Sequence, residues 1–380
     1  MRVQQLVLKN RAYIDDALAP LAAMEPDLVL VFGACTYFAS TELTAALRRQ
    51  LPGAVIAGCS TAGEIAGKRV YDDSCVITAI RFAHTTVAIA DAIICDMADS
   101  HDTGERLAQA LPQDGLTAVF MLGTGVAING SALIAGLQAH LPPGVTISGG
   151  LAADGGAFRQ TWTLGPRGAA DNTVVAVGLY GEHIRLGYGS HAGWEAFGPA
   201  RKVTRCVGNV LYGLDGARAL DIYKLYLGDH ARDLPASGLL FPFEMLTAAH
   251  EKSHVFRTII AIDEEHGSLT LAGDILADGY LKLMHSSTNR LIDGAETAAR
   301  GVRPHADATG DQLALLVSCV GRKLVMGDRV EEEVEAVAEL LDGVACLAGF
   351  YSNGEIGITQ PHGACQLHNQ TMTVTVLSEA

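Results

Sequence analysis

Gly58-Cys59-Ser60-Thr61-Ala62-Gly63-Glu64-Ile65 closes one apolar run, and Gly349-Phe350-Tyr351-Ser352-Asn353-Gly354-Glu355-Ile356 closes another far along the chain. Each copy passes from an apolar strand into small and hydroxyl residues and then into Gly-Glu-Ile. The backbone N–H groups of such a turn can face a ligand. The echo marks two related modules, and the pattern around each copy decides their class.

Around the first copy, residues 27–32, 54–59, 74–82 and 117–122 read as strands, and residues 41–50 and 103–110 as helices. Strands that adjoin in sequence, such as 74–82 and 85–90, call for antiparallel neighbours. The prediction is therefore α/β with mixed β-sheets covered by helices. The glycine-rich stretch 148–156 reads as a loop, followed by strands at 173–180 and 183–188. The pattern restarts near Val203, with a helix over 217–227 that Gly228 ends as a C-cap. Strands at 257–262, 268–272, 280–284, 313–319 and 344–350 and helices at 288–299 and 330–341 complete the second half. Two domains are expected, over 25–200 and 201–380.

Composition narrows the function. A chain of 380 residues with 49% hydrophobic residues holds two packed cores. No apolar run approaches the roughly 20 residues that cross a bilayer. The N-terminal residues lack a secretory pattern, so a cytoplasmic protein is expected. A formal net charge of -15 repels phosphate backbones and anionic lipid, which argues against nucleic-acid and membrane partners. Eight cysteines without a C-x-x-C pair read as reduced and mostly buried.

Among motifs, His250-Glu251-Lys252-Ser253-His254 matches the zinc-hydrolase pattern H-E-x-x-H. The residues after it look like a strand, Arg257 stands where a longer zinc motif needs glycine, and a third ligand would have to be improvised. The plainer reading is a polar connector between strands, and no metal site is expected. Gly123-Thr124-Gly125-Val126-Ala127-Ile128 lacks the third glycine of a dinucleotide fingerprint. Gly58-Cys59-Ser60-Thr61-Ala62 lacks the last glycine of a nucleophile elbow, so Ser60 reads as a turn or ligand contact and Cys59 as a packed residue. Glu64 and Glu355 suit acid–base work or a cationic group, or else a cap or an ion pair. Arg322 suits a carboxylate or propionate, with surface solvation as the alternative. His368 precedes Asn369 and Gln370 in a polar loop, and His191 lies close to Trp194, where an imidazole would meet an aromatic wall.

Taken together, several segments resemble the FIST family of prokaryotic sensory proteins from about residue 25 onward. In the first half these are the 58–65 segment, Gly149-Gly150-Leu151-Ala152-Ala153-Asp154, and Gly193-Trp194 followed by Val203-Thr204. In the second they are Leu214-Asp215-Gly216, Ala219 to Tyr223, Leu227-Gly228, Cys319-Val320-Gly321-Arg322, the 349–356 segment and Leu367-His368-Asn369. Ser352-Asn353 departs from the threonine and aromatic residue more usual there.

The resemblance implies FIST N-terminal and C-terminal sensory domains, signal transduction and small-ligand binding without catalytic residues. It further implies a non-covalent haem b that senses nitric oxide and controls a histidine kinase or other signalling protein, with His368 or His191 as axial ligand. The alternative ligand is a small metabolite such as an amino acid. For either, the expected binding residues are Ser60, Thr61, Gly63, Glu64, Arg322, Gly354, Glu355 and Asn369, in a cleft shared by the two echoed segments. A homo-oligomer is compatible with this reading. The rival outside sensing is a zinc or cysteine hydrolase using Glu251 or Cys59.

Overall fold

One order of strands and helices recurs three times in the computed structural model, which describes residues 1–11, 14–302, 305, 307–341, 343–358 and 364–380. The first repeat runs β1 (Arg2–Leu8), α1 (Ile14–Ala22), β2 (Leu28–Gly33), α2 (Cys35–Phe38), α3 (Glu42–Gln50), β3 (Val55–Ser60), a small hairpin of β4 (Glu64–Ala66) and β5 (Arg69–Tyr71), and β6 (Cys75–Arg81). The second runs β7 (Thr86–Ile93), α4 (Ser100–Ala110), β8 (Leu116–Gly123), α5 (Gly130–His140), β9 (Thr146–Leu151), the hairpin β10 (Thr163–Gly165) and β11 (Gly168–Ala170), and β12 (Thr173–Tyr180).

The third repeat opens with β13 (Ile184–His191) and is then interrupted by an inserted module. That module comprises β14 (Glu195–Val207), β15 (Val210–Leu214), β16 (Ala217–Arg218), α6 (Ala219–Leu227), β17 (Phe243–Leu246), β18 (Lys252–Arg257), β19 (Ile259–Asp263), β20 (Ser268–Leu271) and β21 (Tyr280–His285). The repeat resumes with α7 (Thr288–Gly301), β22 (Gln312–Cys319), α8 (Val320–Met326), α9 (Glu331–Leu341), β23 (Ala345–Ser352), the hairpin β24 (Gly354–Ile358) and β25 (Cys365–His368), and β26 (Met372–Glu379).

Each repeat has a parallel pair at its centre: β2 with β3, β8 with β9, and β22 with β23. An antiparallel strand flanks each pair, β6, β12 or β26, and carries the repeat's first strand on its far side. The small hairpin leaves its own repeat. β4 extends β23, β24 extends β9 and β10 extends β3, so each six-stranded sheet is closed by a neighbour's hairpin. The sheets are mixed, as expected, and two of the three combine strands from the two halves of the sequence.

The central strands are apolar without alternation, as in Leu28–Gly33 and Thr173–Tyr180, because both of their faces are buried. One face joins a core shared by all three sheets, where Phe32 and Phe350 meet at 4.6 Å between ring centroids and Phe120, Val177 and Leu315 pack around them. The other face lies under helices. Leu18 and Leu47 cover the first sheet, Leu107 and Leu133 the second, and Ala295 and Val334 the third. A fully buried Leu or Val contributes about 2 kcal/mol, so a core common to three sheets ties the repeats together.

The 148–156 stretch, expected as a loop, is strand through Leu151, because β9 occupies residues 146–151. Its two glycines leave no side chains from which strand alternation could be read. Gly149 has a specific reason to be there. It lies opposite Met121, and an added Cβ would sit 1.9 Å from the Met121 carbonyl oxygen. Gly349 opposes Leu316 at 1.9 Å and Gly58 opposes Val31 at 2.2 Å in the same way. The three glycines occupy one position of the repeat, where two backbones meet at side-chain-free distance.

Gly58→Ala and Gly349→Ala are each expected to lower stability by about 1–3 kcal/mol, read as a lower urea midpoint. Gly53→Ala, with nothing within 4 Å of its added Cβ, should leave the midpoint unchanged.

Candidate functional site

The three turns that follow β3, β9 and β23 are joined in a closed ring of backbone hydrogen bonds. Ala62 N–H donates to Tyr351 O at 2.9 Å, Asn353 N–H to Leu151 O at 3.2 Å, and Ala153 N–H to Ser60 O at 2.8 Å. Donors and acceptors fall at the same repeat positions each time. Both echoed segments meet here, together with a third copy, Gly149 to Asp154, in which Asp154-Gly155-Gly156 stands in place of Gly-Glu-Ile.

The meeting place is packed solid. Ser60, Thr61, Glu64, Gly354 and Glu355 are all buried, and the shared cleft expected between the two segments is replaced by this ring. The carboxyls are satisfied internally. Glu64 accepts from Thr61 and from Ser74 Oγ at 2.6 Å. Glu355 accepts from Ser352 Oγ at 2.8 Å and from Thr371 through Oγ1 at 2.7 Å and N–H at 3.1 Å. In the second repeat Thr163 holds the same register position and bonds Thr173 instead.

Burial pushes both carboxyls up to about 7, against the hydroxyl donors that pull them down. Gly63, at φ +136, lies beneath the Lys323 ammonium, which is held by Ala62 O at 2.8 Å and by Asp72. Asn369 is buried as well.

Arg322, expected as a basic ligand contact, is fully buried. Its guanidinium bonds Glu333 Oε2 at 2.6 Å and 3.1 Å, Leu291 O at 2.8 Å and Ala192 O. All of its reach goes into holding α8, α9, α7 and the end of β13 together. It is an internal brace, and removing one partner would strand the other charge.

An open cavity lies elsewhere, at the junction of the inserted module with the third repeat. It has a volume of about 330 Å³ and is walled by His191 at the end of β13 and Trp194 after it, by Glu244, Lys252 and His254 of the module, and by His368 and Thr371 of the third repeat. His368 and His191, chosen from sequence as two separate candidates, thus face one space. Gln370 spans the junction through Leu239 O at 2.8 Å and Thr258 Oγ1 at 3.1 Å. Arg257, also buried, spans it through Leu367 O at 3.0 Å and Ser131 at 3.3 Å.

Two atoms of this wall are buried without a hydrogen-bond partner, Glu244 Oε2 and His368 Nδ1. His368 Nε2 lies 3.1 Å from the Gly357 carbonyl and therefore carries the proton, which leaves Nδ1 as an acceptor. Burial drives the His368 imidazole down to about 4, so it is neutral at physiological pH. Burial also lowers His191, with Arg322 and His254 adding to the effect. Both atoms are closed to solvent, while other parts of the Glu244 and His368 side chains line the space and exposed Lys252 stands at its rim.

The H-E-x-x-H segment is a turn leading into β18. His250 and His254 both take positive φ, and His250 stacks on Tyr280 at 3.8 Å, so the helical spacing that would bring two imidazoles to one metal is absent. Among the described residues no cluster of His, Cys, Asp and Glu is arranged to hold a metal ion. Cys59 is buried in the shared core, and burial raises its thiol far above the usual range. Glu244, Lys252 and Thr371 were not singled out by sequence. The first two lie in ordinary strand stretches, and no spacing connects them to His368.

Because folding raises the Glu64 carboxyl to about 7, its neutral form stabilises the fold at low pH, and that contribution is lost as pH rises through 7. The stability advantage of wild type over Glu64→Gln should therefore shrink from pH 5 to pH 8 in urea denaturation. A difference independent of pH would show that Glu64 titrates as it does in the unfolded chain.

The FIST N domain matches residues 27–217 and the FIST C domain residues 219–358. Two uncharacterised proteins of Mycobacterium tuberculosis, from two strains, are 22% identical over 369 residues, covering 94% of this chain and 92% of theirs. The crystal structure of cyanuric acid hydrolase from A. caulinodans aligns over 99% of both chains at 9% identity, with a TM-score of 0.38. Among the described residues no helix is long and apolar enough to cross a membrane. The chain belongs to the FIST family, whose domains are signal-transduction sensors that bind small ligands.

Proposed function

We propose that this protein senses a small metabolite bearing an ammonium or other N–H donor group, with an amino acid as the simplest case, in the cavity between the inserted module and the third repeat. The observation that carries this reading is the cavity lining, which gathers the Glu244 carboxyl, the His368 imidazole and the Lys252 amine around one space. An N–H donor that reaches the Glu244 carboxyl from this cavity gains a hydrogen bond to a charged group, about 1.5–3 kcal/mol. Lys252 at the rim then supplies the partner for a carboxylate at the ligand's other end. A volume of about 330 Å³ suits a ligand of this size.

The haem that the resemblance implied does not match this donor set. His368 Nδ1, the ring nitrogen left free, is closed to the cavity, and charged and polar side chains line much of a space too small for a macrocycle. No step is therefore assigned to haem or to nitric oxide. The signalling role calls for a partner protein that reads the occupied state, and a histidine kinase fits that place. In this reading the protein binds and reports without catalysing a reaction.

Isothermal titration with a panel of free amino acids and simple amines tests the proposal. At least one compound should bind wild type. Glu244→Gln should weaken that binding about ten- to a hundredfold, as expected for loss of a charge-assisted hydrogen bond. Lys252→Met should weaken only compounds that carry a carboxylate. Equal binding by wild type and Glu244→Gln would overturn the assignment.

A further inference from the structure

Glu355 stands one hydrogen bond behind the cavity wall. Thr371 is part of that wall and gives both its hydroxyl and its N–H to Glu355 Oε2. The peptide group that supplies this N–H also supplies the Gln370 carbonyl, which accepts the Trp194 indole N–H at 2.9 Å. Trp194 is wall as well. A single peptide unit therefore lies between the carboxyl and the indole, and hydrogen-bond chains of this kind polarise one another.

We propose that Glu355 is a specificity-determining residue of the cavity: when ionised it favours a cation in that space, and when neutral it does not. The effect on ligands rests on the reading of the cavity given above, whereas the coupling of Glu355 to the wall stands on the hydrogen bonds alone.

Burial holds the Glu355 carboxyl at about 7, so it changes charge near neutrality. The groups around it do not. Tyr188 on β13 and Cys319 at the end of β22 are pushed up by burial and stay neutral, and His368 on β25 is pushed down to about 4. Arg322 on α8 is paired with Glu333. By linkage, an ammonium in the cavity lowers the Glu355 carboxyl and releases a proton, and binding of cations strengthens as pH rises through 7. Glu64, the register equivalent of Glu355, is bonded to Ser74 and Thr61 and is not among the cavity residues. It serves as an internal control.

The test needs no ligand. The chain has two tryptophans, so Trp162→Phe leaves Trp194 as the sole indole reporter. Its fluorescence, followed from pH 5 to 9, should show one transition near pH 7. Adding Glu355→Gln should abolish the transition, and adding Glu64→Gln should leave it in place. Thr371→Val keeps the carboxyl but removes a donor to its ionised form, and should move the midpoint up by about one unit. This second variant keeps the proposal testable if Glu355→Gln folds poorly. A flat titration of the Trp162→Phe protein would overturn the proposal. So would a transition that survives Glu355→Gln, or one that His191→Gln or His254→Gln removes. Failure of the cavity as a ligand site would appear instead in the calorimetric titrations, with this fluorescence transition unaffected.

Discussion

Three backbone hydrogen bonds, from Ala62 to Tyr351, Asn353 to Leu151 and Ala153 to Ser60, hold the turns of the three repeats in one ring. Everything downstream of those turns depends on it. Each turn sends its hairpin into the next sheet, so the ring fixes the register in which β4, β10 and β24 join their hosts. The ring forms only because Gly58, Gly149 and Gly349 let neighbouring backbones approach just before it. Buried N–H and C=O groups must find partners. Here they find them in other repeats, which makes the three sheets a single cooperative object and not two beads on a string.

Much of this was legible in the residues. The long apolar strands and most of the flanking helices declare themselves through unbroken hydrophobic runs and 3.6-residue spacing. The echo of 58–65 in 349–356 is a true structural correspondence, extending to the hydroxyl partners of Glu64 and Glu355. What escaped is physical in origin. The third copy at 149–154 has lost its Gly-Glu-Ile, and an eleven-residue connection, 152–162, separates β9 from β10, so its kinship appears only in the hydrogen-bond register. Hairpin strands of three to five residues carry too few side chains for a period to show. Exchange of hairpins between repeats leaves no local trace at all, because each strand is satisfied by a distant partner.

The site was legible in part, for a related reason. His191 and His368 stood out as imidazoles in polar, aromatic surroundings, and they do share a cavity. The carboxylate and hydroxyl residues of the echoed turns stood out equally, yet their polarity serves the ring. Buried Glu64, Glu355 and Arg322 show that a striking residue type in a turn is ambiguous until its partners are known: hydroxyls for the first two, Glu333 and two carbonyls for the third. Glu244 was invisible from sequence because its significance is its place in the cavity wall, which only three-dimensional packing reveals.

The location of the cavity follows from where the repetition is broken. At the position paired with the buried carboxyl or its substitute, the first repeat places Tyr71, the second Ala170 and the third His368. Only the third is interrupted between its first strand and its first helix, and the inserted module there brings Glu244, Lys252 and His254 against that imidazole. In the two regular repeats the buried carboxyl of Glu64 and its substitute Thr163 find hydroxyl partners nearby, in Thr61, Ser74 and Thr173. In the interrupted repeat the module covers polar positions without completing their hydrogen bonds. The cavity is thus a consequence of the insertion, and a ligand held there would touch both sides of the contact through which module and scaffold are held together.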